Sequence, residues 1–440
     1  MDRNTIVAQA TPLGRSGIAV IRLSGPESFN YTKEITRFSG KAPHHTIRLL
    51  TIYDDKNAKI DEAIFAFYHS PRSYTGEDVV EISCHGNPQI SERIINRLTK
   101  LGASLAQPGE YTRRAFLNGK IDLSQAESLA LLISSRSKEA AEHQLNNLGG
   151  AASTEIKKIR KSLVLTLSLV EFELDVSEEE MSLSFTASKA LKHIKTNIIA
   201  TESLMGTFAM GSAYSSGIRV SVVGEPNVGK STLTNRLLGS NRSIVDKKAG
   251  TTRDTIATDV IIAGIPTTII DTAGIRETDD RVEAAGVDRA MTEVGRSALV
   301  LNVFTSETKT VDIIGDIEQI YVYNKVDLQM YNGEDKSVIP VSALKNTGTN
   351  KLLRAIESTL KKSHSYSQDI LINTERQKKS LEECSLFLNK AAEQLNSPSP
   401  SLELAATDIR SSINSLDTFL GRVTNDDVLN QVFSSFCVGK

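Results

Sequence analysis

A glycine-rich segment offers the clearest chemistry in this sequence. Residues 224–231 read GEPNVGKS and directly follow the buried-strand pattern IRVSVV at 218–223. The spacing of Gly224, Gly229 and Lys230 is typical of a phosphate-binding loop, in which backbone N–H groups and the lysine bind phosphate oxygens and the next hydroxyl ligates Mg²⁺. A chance glycine-rich turn is a poor alternative, because a strand pattern precedes the segment and a helical pattern follows it. The segment therefore predicts a nucleoside-triphosphate site.

Two further segments follow in the order that a nucleotide switch requires. The run AGTTRD places Thr251 and Thr252 where a first switch loop supplies a hydroxyl to Mg²⁺. The tetrapeptide DTAG then follows the strand pattern 267–270. Its Asp271 would provide the Mg²⁺-linked carboxylate, and its Gly274 would sense the γ-phosphate. These segments follow the lysine loop in the order that a GTPase requires.

The base is selected by a fourth segment, NKVD at 324–327, which ends the strand pattern 320–323. The carboxylate of Asp327 can accept two hydrogen bonds from the N1 and N2 groups of guanine, and adenine cannot reproduce them. Residues 342–344, SAL, would place backbone N–H groups near the guanine O6. Each short segment alone could be an ordinary turn, but four in this order predict a GTPase.

The residue after Gly274 poses a problem for hydrolysis. It is Ile275, whereas Ras-like enzymes use a glutamine there to orient the attacking water. Glu283, at the start of a predicted helix, could hold that water, or it could be a solvated acid favoured by the helix dipole. Asn227 could coordinate a cation in place of an arginine finger, or it could form an Asx turn within the loop. Both alternatives are open at this stage.

The elements that must position these groups differ along the chain. A length of 440 residues suggests about three domains. Strand patterns at 17–23 and 78–83, with a helical pattern near 89–101, predict an α+β domain over residues 1–118. Alternating strands and helices from 218 to 362 predict an inserted α/β domain of the Ras-like P-loop class.

Long helices of one bundle are predicted on both sides of this insert, over residues 119–217 and 363–440. Apolar residues there recur every three or four positions, which is the spacing of one helix face. They are Ile156, Ile159, Leu163, Leu167, Val170 and Leu174 before the insert, and Ile409, Ile413, Leu416 and Leu420 after it. The stretch 396–401 contains two prolines and is predicted to be a loop between helices.

Charge and cysteine content narrow the function classes. Lys plus Arg (51) nearly balance Asp plus Glu (53), so RNA contact must use local patches or a partner. We find neither a signal-peptide pattern nor an apolar run long enough for a bilayer, and we expect a cytosolic protein.

Three scattered cysteines fit no disulfide framework. Cys437 is predicted to be a small buried residue rather than a nucleophile. Cys84 and His85 would point to opposite faces of a strand, which makes a poor chelate.

The sequence also resembles a known family over its whole length. The segments that carry the resemblance are 5–11 (TIVAQAT), 73–78 (SYTGED), 108–110 (PGE), 114–127 (RAFLNGKIDLSQAE), the four nucleotide segments above and 433–440 (FSSFCVGK). They resemble the MnmE, or TrmE, family of tRNA-modifying GTPases, a potassium-stimulated branch of the TrmE-Era-like superfamily. Segments 114–127 and 433–440 would not be expected in a GTPase of another kind.

The resemblance implies several partners and cofactors. It implies GTP, Mg²⁺, K⁺ and a tetrahydrofolate derivative, in the 5-formyl or 5,10-methylene form. It implies a homodimer formed by residues 1–118 and a complex, heterotetrameric or larger, with the FAD-containing protein MnmG. The implied reaction installs an aminomethyl or carboxymethylaminomethyl group at C5 of the wobble uridine of tRNA, without any membrane.

The resemblance also implies site residues. The nucleotide positions fall on Asn227, Val228, Gly229, Lys230, Ser231, Thr232, Asp246, Lys247, Lys248, Ala249, Gly250, Thr251, Thr252, Asp271, Thr272, Ala273, Gly274, Asn324, Lys325, Val326 and Asp327. Mg²⁺ falls to Ser231 and Thr252, and K⁺ to Asn227, Asp246, Lys248 and Thr251. Catalysis falls to Glu283, Lys230, Thr251 and Gly274. The folate positions fall on Arg22, Glu81, Lys120 and Lys440.

Some residues depart from the family pattern. Asp246 stands where a threonine is common, and the strand segment 299–303 (LVLNV) lacks the usual aspartate after it. Residues 304–319 give a short link between two strands.

The alternative functions are a GTPase of another class, such as a ribosome-assembly or membrane-scaffold protein, and a folate-dependent aminomethyltransferase contained wholly in this chain. The first would need a basic RNA-binding module or an amphipathic membrane helix, and the second an acid/base set within 1–118; neither is apparent in the sequence.

Overall fold

The computed structural model describes residues 4–40, 43–175, 183–240, 257–271, 292, 294–313, 317–362, 370–423 and 425–440. Contacts divide the chain into two compact units. The first unit contains residues 1–130, 153–157 and 413–440, and the second contains residues 131–152 and 158–412. This division is coarser than the four predicted segments, whose boundaries stay predictions.

The secondary structure is mixed, with helices prevailing between the two sheets and after the second. The strands are Ile6–Gln9 (β1), Ile18–Ser24 (β2), Thr46–Tyr53 (β3), Lys59–Tyr68 (β4), Val79–His85 (β5), Ser104–Leu105 (β6), Ile218–Val223 (β7), Ala257–Ile262 (β8), Ile265–Asp271 (β9), Leu299–Phe304 (β10), Gln319–Tyr323 (β11) and Ile339–Pro340 (β12). The helices are Ser28–Thr36 (α1), Pro88–Lys100 (α2), Glu110–Leu117 (α3), Leu123–Ser134 (α4), Lys138–Leu148 (α5), Ala151–Asp175 (α6), Leu183–Gly206 (α7), Phe208–Ser216 (α8), Lys230–Ser240 (α9), Thr349–Lys362 (α10), Glu375–Leu395 (α11), Leu402–Leu420 (α12) and Asp426–Ser434 (α13). No helix within the described ranges combines the length and apolar character that a membrane crossing needs.

The first sheet has the order β3-β4-β5-β2-β1-β6, and all its pairs are antiparallel except β1 with β6. Over most of their length, β2, β4 and β5 alternate between buried and more accessible side chains, as period-2 side-chain alternation requires. Ile21, Ile82 and Phe65 are paired across three strands and are fully buried in one cluster with Ile35 of α1 and Ile94 of α2. The predicted N-terminal α+β fold is confirmed, and the strands at 17–23 and 78–83 are β2 and β5.

The long helices follow the predicted apolar spacing. Helix α6 covers the run that begins at Ile156, and α12 covers the run from Ile409 to Leu420. All the predicted apolar residues of α12 are buried, whereas on α6 Leu167 is half-buried and Leu174 is exposed. In the second unit α11 packs along α7.

The second sheet has the order β12-β11-β10-β7-β9-β8, with β8 alone antiparallel to its neighbour. Its core joins Val220 and Val222 of β7 to Leu233 of α9 and to Leu352 and Ile356 of α10. The predicted strand 218–223 is β7 to the residue, because a mostly apolar run that is buried on both faces beyond Arg219 is typical of a central parallel strand. The predicted α/β insert is confirmed.

The link between β10 and β11 contains no helix among its described residues, although parallel neighbours are usually joined by one. The buried side chain of Asn302 organises this link. Its Nδ2 donates to Val311 O at 2.7 Å, and its Oδ1 accepts from Val311 N at 3.0 Å. A single carboxamide therefore satisfies both backbone groups of Val311, which explains why an asparagine is placed in the middle of a buried strand.

Candidate functional sites

The phosphate-binding loop connects the end of β7 to the start of α9. Gly224 has φ +154, and a Cβ there would lie 2.1 Å from Val303 O, so only glycine fits. The Nζ atom of Lys230 donates to Gly224 O at 2.9 Å and to Glu225 O at 2.8 Å. Asn227 has φ +63 and is exposed on the same loop. The loop thus collects a buried ammonium group and a helix N-terminus, which is the arrangement that binds phosphate.

The buried side chain of Asn324 connects this loop to the two segments predicted to bind the base. Its Nδ2 donates to Val228 O at 2.8 Å, and its Oδ1 accepts from Ala343 N at 3.1 Å. Loss of this carboxamide would leave two backbone groups without partners, at about 1–3 kcal/mol each. Asn324 therefore positions the loops, a role that the sequence pattern did not reveal, and its predicted contact with the nucleotide stays a prediction.

The side chain of Asp327 is exposed next to this bridge, where a ligand can reach its carboxylate. The preceding Lys325 has φ +65, so the backbone turns sharply between Asn324 and Asp327. That turn separates a buried asparagine from an exposed aspartate within four residues. The arrangement suits one residue that holds the loops together and one that is available for guanine.

Sequence reasoning missed Arg236, which lies on α9. Its Nε donates to Ala343 O and its Nη2 to Leu344 O, both at 3.0 Å. The segment 342–344 is thus fixed at one end by Asn324 and at the other by Arg236. No motif marks Arg236, because its role depends on the distance between α9 and a loop more than 100 residues later.

The Mg²⁺ assignment can be tested on two described residues. Ser231 is exposed in the first turn of α9, and Asp271 ends β9, where it pairs with Val222 beside the phosphate loop. A hydroxyl and a carboxylate at this edge are hard oxygen donors of the kind that Mg²⁺ prefers. The residues therefore fit the ion.

Many predicted switch residues lie outside the described residues. They are Asp246, Lys247, Lys248, Ala249, Gly250, Thr251, Thr252, Thr272, Ala273, Gly274, Ile275 and Glu283. The Thr252 ligand to Mg²⁺, most of the K⁺ set and the catalytic roles of Glu283, Thr251 and Gly274 accordingly stay predictions.

A second site lies in the first unit, on the exposed face of its sheet. Arg22 and Glu81 are paired residues of β2 and β5, and their side chains form an ion pair at 2.7 Å. The guanidinium Cζ also lies 5.4 Å from the ring centre of Tyr74 and 5.6 Å from that of Tyr111. The Arg22 side chain is only 15% exposed, so its charge depends on these partners. The structure thus brings together two of the four predicted folate residues.

The tail of the chain reaches the same arginine. Gly439 O accepts a hydrogen bond from Arg22 Nη1 at 3.3 Å. Gly439 has φ +95, and a Cβ there would lie 2.4 Å from Gln9 O of β1. Phe433 and Phe436 are buried against Leu123 and hold the tail in place. Lys440, the third predicted folate residue, is half-buried and directly follows Gly439 in the chain.

Lys120, the fourth predicted folate residue, contacts the loop 70–78 that also carries Tyr74. Its Nζ donates to Pro71 O at 3.0 Å. The same loop is held by Glu77, which accepts from Arg114 Nη1 at 3.0 Å and from Ser24 Oγ at 2.7 Å. These contacts give the segments 73–78 and 114–127 a shared role that the sequence did not reveal. They fix the loop that lies between Arg22 and Lys120.

The hydroxyl of Tyr111 forms a hydrogen bond with the backbone of β2 at Arg22. It donates to Arg22 O at 2.6 Å, and burial raises the pKa of Tyr111 far above its usual range, so this donor stays protonated. The tyrosine ring therefore contributes a hydrogen bond to the strand as well as a face to the guanidinium group.

The cysteine predictions had mixed outcomes. Cys84 is buried, and burial raises the pKa of its thiol, whereas His85 is exposed and lies 2.8 Å from the carboxylate of Asp61. The opposite orientations of Cys84 and His85 are confirmed. Cys437 is exposed, so its prediction as a buried residue was wrong. Its neighbour Phe436 occupies the apolar pocket instead.

Comparisons with known proteins agree with this geometry. A family model described as the GTP-binding protein TrmE N-terminus matches residues 5–120, and one described as the MnmE helical domain matches residues 123–437. The tRNA modification GTPase MnmE of Aquifex aeolicus is 37% identical over 451 residues, covering 100% of both chains. The chain belongs to the MnmE family.

Other relatives give the same result. The MnmE protein of Thermotoga maritima is 37% identical and covers 99% of this chain and 100% of its own, and that of Cytophaga hutchinsonii is 37% identical and covers 99% and 98%. Membership of the MnmE family makes the chain a GTP hydrolase. Among solved structures, the FeoB G-domain of Methanococcus jannaschii matches 33% of this chain and 98% of its own at 24% identity, but its TM-score of 0.25 is too low to assign anything.

The exposed carboxylate of Asp327 generates the first prediction. Asp327→Asn replaces an acceptor by an amide that cannot accept from both guanine N–H groups, so GDP affinity should fall by at least about tenfold, roughly 1.4 kcal/mol. Affinity for xanthosine diphosphate should rise instead. Titration of both nucleotides by calorimetry measures the switch. Glu334→Gln, at an exposed acid in the loop that follows, is the matched control and should bind as the wild type does. An unchanged preference in Asp327→Asn would contradict the base-reading role.

Proposed function

We propose that this MnmE-family chain acts with an FAD-containing MnmG protein to install an aminomethyl or carboxymethylaminomethyl group at C5 of the wobble uridine of tRNA. The observation that carries the proposal is the coexistence of two built sites on one chain that matches MnmE proteins over its full length. One is the nucleotide site bridged by Asn324, and the other is the Arg22 and Glu81 pair beneath the chain tail.

At the nucleotide site, Lys230 would exchange its two carbonyl contacts for the β- and γ-phosphate oxygens of GTP. The exchange is favourable because the ammonium group then pairs with anionic phosphate oxygens instead of neutral carbonyls. When bound by the hydroxyls of Ser231 and Thr252 next to the carboxylate of Asp271, Mg²⁺ would neutralise the charge of those oxygens. Asn324 and Arg236 keep the base-binding loops fixed while the nucleotide enters.

Hydrolysis needs a water-orienting group, because the aliphatic side chain of Ile275 offers none. Glu283 would hold the attacking water through its carboxylate. Asn227, on the exposed rim of the phosphate loop, would bind K⁺ together with Asp246, Lys248 and Thr251. When bound there, K⁺ supplies the positive charge that an arginine finger provides in other GTPases.

At the second site, the charges suit the two ends of a reduced folate. The Glu81 carboxylate can accept hydrogen bonds from the amino edge of the pterin, and the cations of Lys120 and Lys440 can bind its glutamate carboxylate. Arg22 would orient Glu81 through their ion pair. A bound tetrahydrofolate supplies the one-carbon unit, and the tail residue Gly439 closes one side of the site.

The same sheet face supports the proposed homodimer. Strand pairing aligns Arg22 with Glu81, then with Ala66 of β4 and Ile47 of the edge strand β3. On this face Ile47 is 72% exposed, and its neighbour Leu49 is 63% exposed. Apolar side chains beside each other on an edge strand favour contact with a second protein surface. We infer that a second copy covers them, which would place the folate residues at the junction.

The alternative GTPase classes lack support of this kind. A ribosome-assembly or membrane-scaffold protein would have no use for the Arg22 and Glu81 pair or for the tail that contacts it. An aminomethyltransferase contained wholly in the chain would need an acid/base set beside Arg22. The groups that contact the guanidinium are instead Glu81, a carbonyl and two tyrosine rings.

The tRNA proposal is tested by nucleoside analysis. A strain lacking the gene for this chain should lose the C5-modified wobble uridine, and the wild-type gene should restore it. Lys230→Ala should fail to restore it, because the phosphates lose their cation. Mass spectrometry of tRNA hydrolysates gives the readout. Normal wobble nucleosides in the deletion strain would refute the proposed reaction, whatever the GTPase rate.

The hydrolysis proposal is tested by cation exchange. Turnover should rise at least about tenfold in K⁺ over Na⁺ at equal ionic strength, since a charge at the transition state contributes several kcal/mol. Asn227→Ala should lose this response yet keep GDP binding. Glu283→Ala should bind GTP but lose most turnover in either salt. Equal rates in the two salts would contradict the K⁺ role, and normal turnover of the Glu283 variant would make that residue a solvated helix acid.

The dimer and folate proposals are tested together. Replacing Ile47 and Leu49 by glutamate puts two charges on the proposed interface, so light scattering should show a monomer. If the site lies at the junction, folate affinity measured by calorimetry should fall by at least about tenfold. Leu145→Glu, at an exposed leucine of α5, is the control and should leave both quantities unchanged. A variant that stays dimeric would show that β3 is not the interface.

A further inference from the structure

A cavity of about 680 Å³ lies in the first unit, beside the residues that follow α3. This volume is within the range of small-molecule sites. Its charged lining residues are Lys120, Asp122, Lys157 and Arg422. Its walls also include Phe116 and Leu420, so charged groups surround a partly apolar space. The nucleotide site does not use this cavity, and of its lining residues only Lys120 belongs to the predicted folate set.

The cations of the cavity exceed its anions by three to one, counted over the lining residues. Lys157 lies 3.1 Å from Asp122, which also accepts a hydrogen bond from Ser153 Oγ at 2.8 Å. Arg422 lies 3.5 Å from Asp417. The side chains of Lys157 and Arg422 are about half exposed. Because an ammonium has three donors and a guanidinium five, each can bind a further anion without giving up its present partner.

The distribution of these cations favours a chain of carboxylates over a single compact phosphate. Lys120, Lys157 and Arg422 come from three separate elements: the turn after α3, the helix α6 and the turn after α12. Apolar side chains lie between them. A phosphate is usually enclosed by backbone N–H groups at one point. A ligand with carboxylates spaced along methylene groups satisfies both the separated cations and the apolar walls.

The loop 70–78 connects this cavity to the Arg22 site. Tyr74 of the loop lies against the Arg22 guanidinium, and Pro71 O of the same loop accepts from Lys120 Nζ. Lys120 is thus both a lining residue of the cavity and a member of the proposed folate set. A ligand held at Glu81 and Lys120 would continue past Lys120 into the cavity.

We propose that this cavity binds the γ-glutamyl tail of a polyglutamylated reduced folate, with Lys157 and Arg422 binding carboxylates beyond the first glutamate. The proposal rests on the folate site proposed above and adds the form of folate that the chain selects. It makes the tail, rather than the pterin, the source of the preference.

Calorimetry of the full chain with 5-formyl-tetrahydrofolate as the monoglutamate and as the tri-γ-glutamate tests this assignment. The triglutamate should bind at least about tenfold more tightly, and the ratio should fall as salt rises. Lys157→Gln combined with Arg422→Gln should reduce the ratio to about one and leave the monoglutamate affinity unchanged. Lys158→Gln, which removes the same charge from the next position of α6, should keep the preference.

Each outcome separates the two proposals. Equal binding of both ligands by the wild type, or an unchanged ratio in the double variant, would overturn the tail assignment and leave the folate site intact. Absence of binding of both ligands by the wild type would overturn the folate site and the tail assignment with it. If the double variant keeps its native circular dichroism but loses the monoglutamate, Lys157 and Arg422 belong to the main site, and the tail assignment fails.

Discussion

The nucleotide site depends on the side chain of Asn324, which joins three segments that are far apart in the sequence. Its amide donates to the phosphate loop and its carbonyl accepts from the loop after β12. A carboxamide is suited to this position because it offers a donor and an acceptor in fixed planar geometry without a charge to desolvate. Aspartate in its place would lack the donor and bring a buried negative charge towards the phosphates.

The first unit uses a charged residue for a similar purpose. Arg22 contacts Glu81, two tyrosine rings and the carbonyl of Gly439, so one guanidinium group joins the sheet, the loop 70–78 and the chain tail. Its five donors allow this number of partners. The difference from Asn324 has a physical reason. The charge of Arg22 is balanced by the carboxylate of Glu81, whereas Asn324 is enclosed within loops and has backbone groups as partners.

Two features of the chain depart from the usual GTPase pattern: the link between β10 and β11, and the residue at position 275. The link from β10 to β11 lacks a helix among its described residues, yet Asn302 satisfies both backbone groups of Val311 that a regular element would otherwise pair. The missing water-orienting residue at Ile275 is of another kind, because it changes chemistry rather than packing. The nucleotide-binding residues of the sequence are unaffected, and we propose that Glu283 orients the water instead.

The sequence by itself determined those elements that depend only on residue type and spacing within one segment. The strand 218–223, the phosphate loop and the fold class follow from residue type and spacing, because a strand buried on both faces is mostly apolar and a backbone that approaches Val303 O must have glycine at 224. Only the tertiary structure decided which distant residues meet. The pairing of Arg22 with Glu81 depends on strand register, the role of Arg236 on the distance from α9 to a later loop, and the exposure of Cys437 on the choice of Phe436 as the anchor. Register, distance and anchoring arise from packing over the whole unit, and a local pattern carries no record of them.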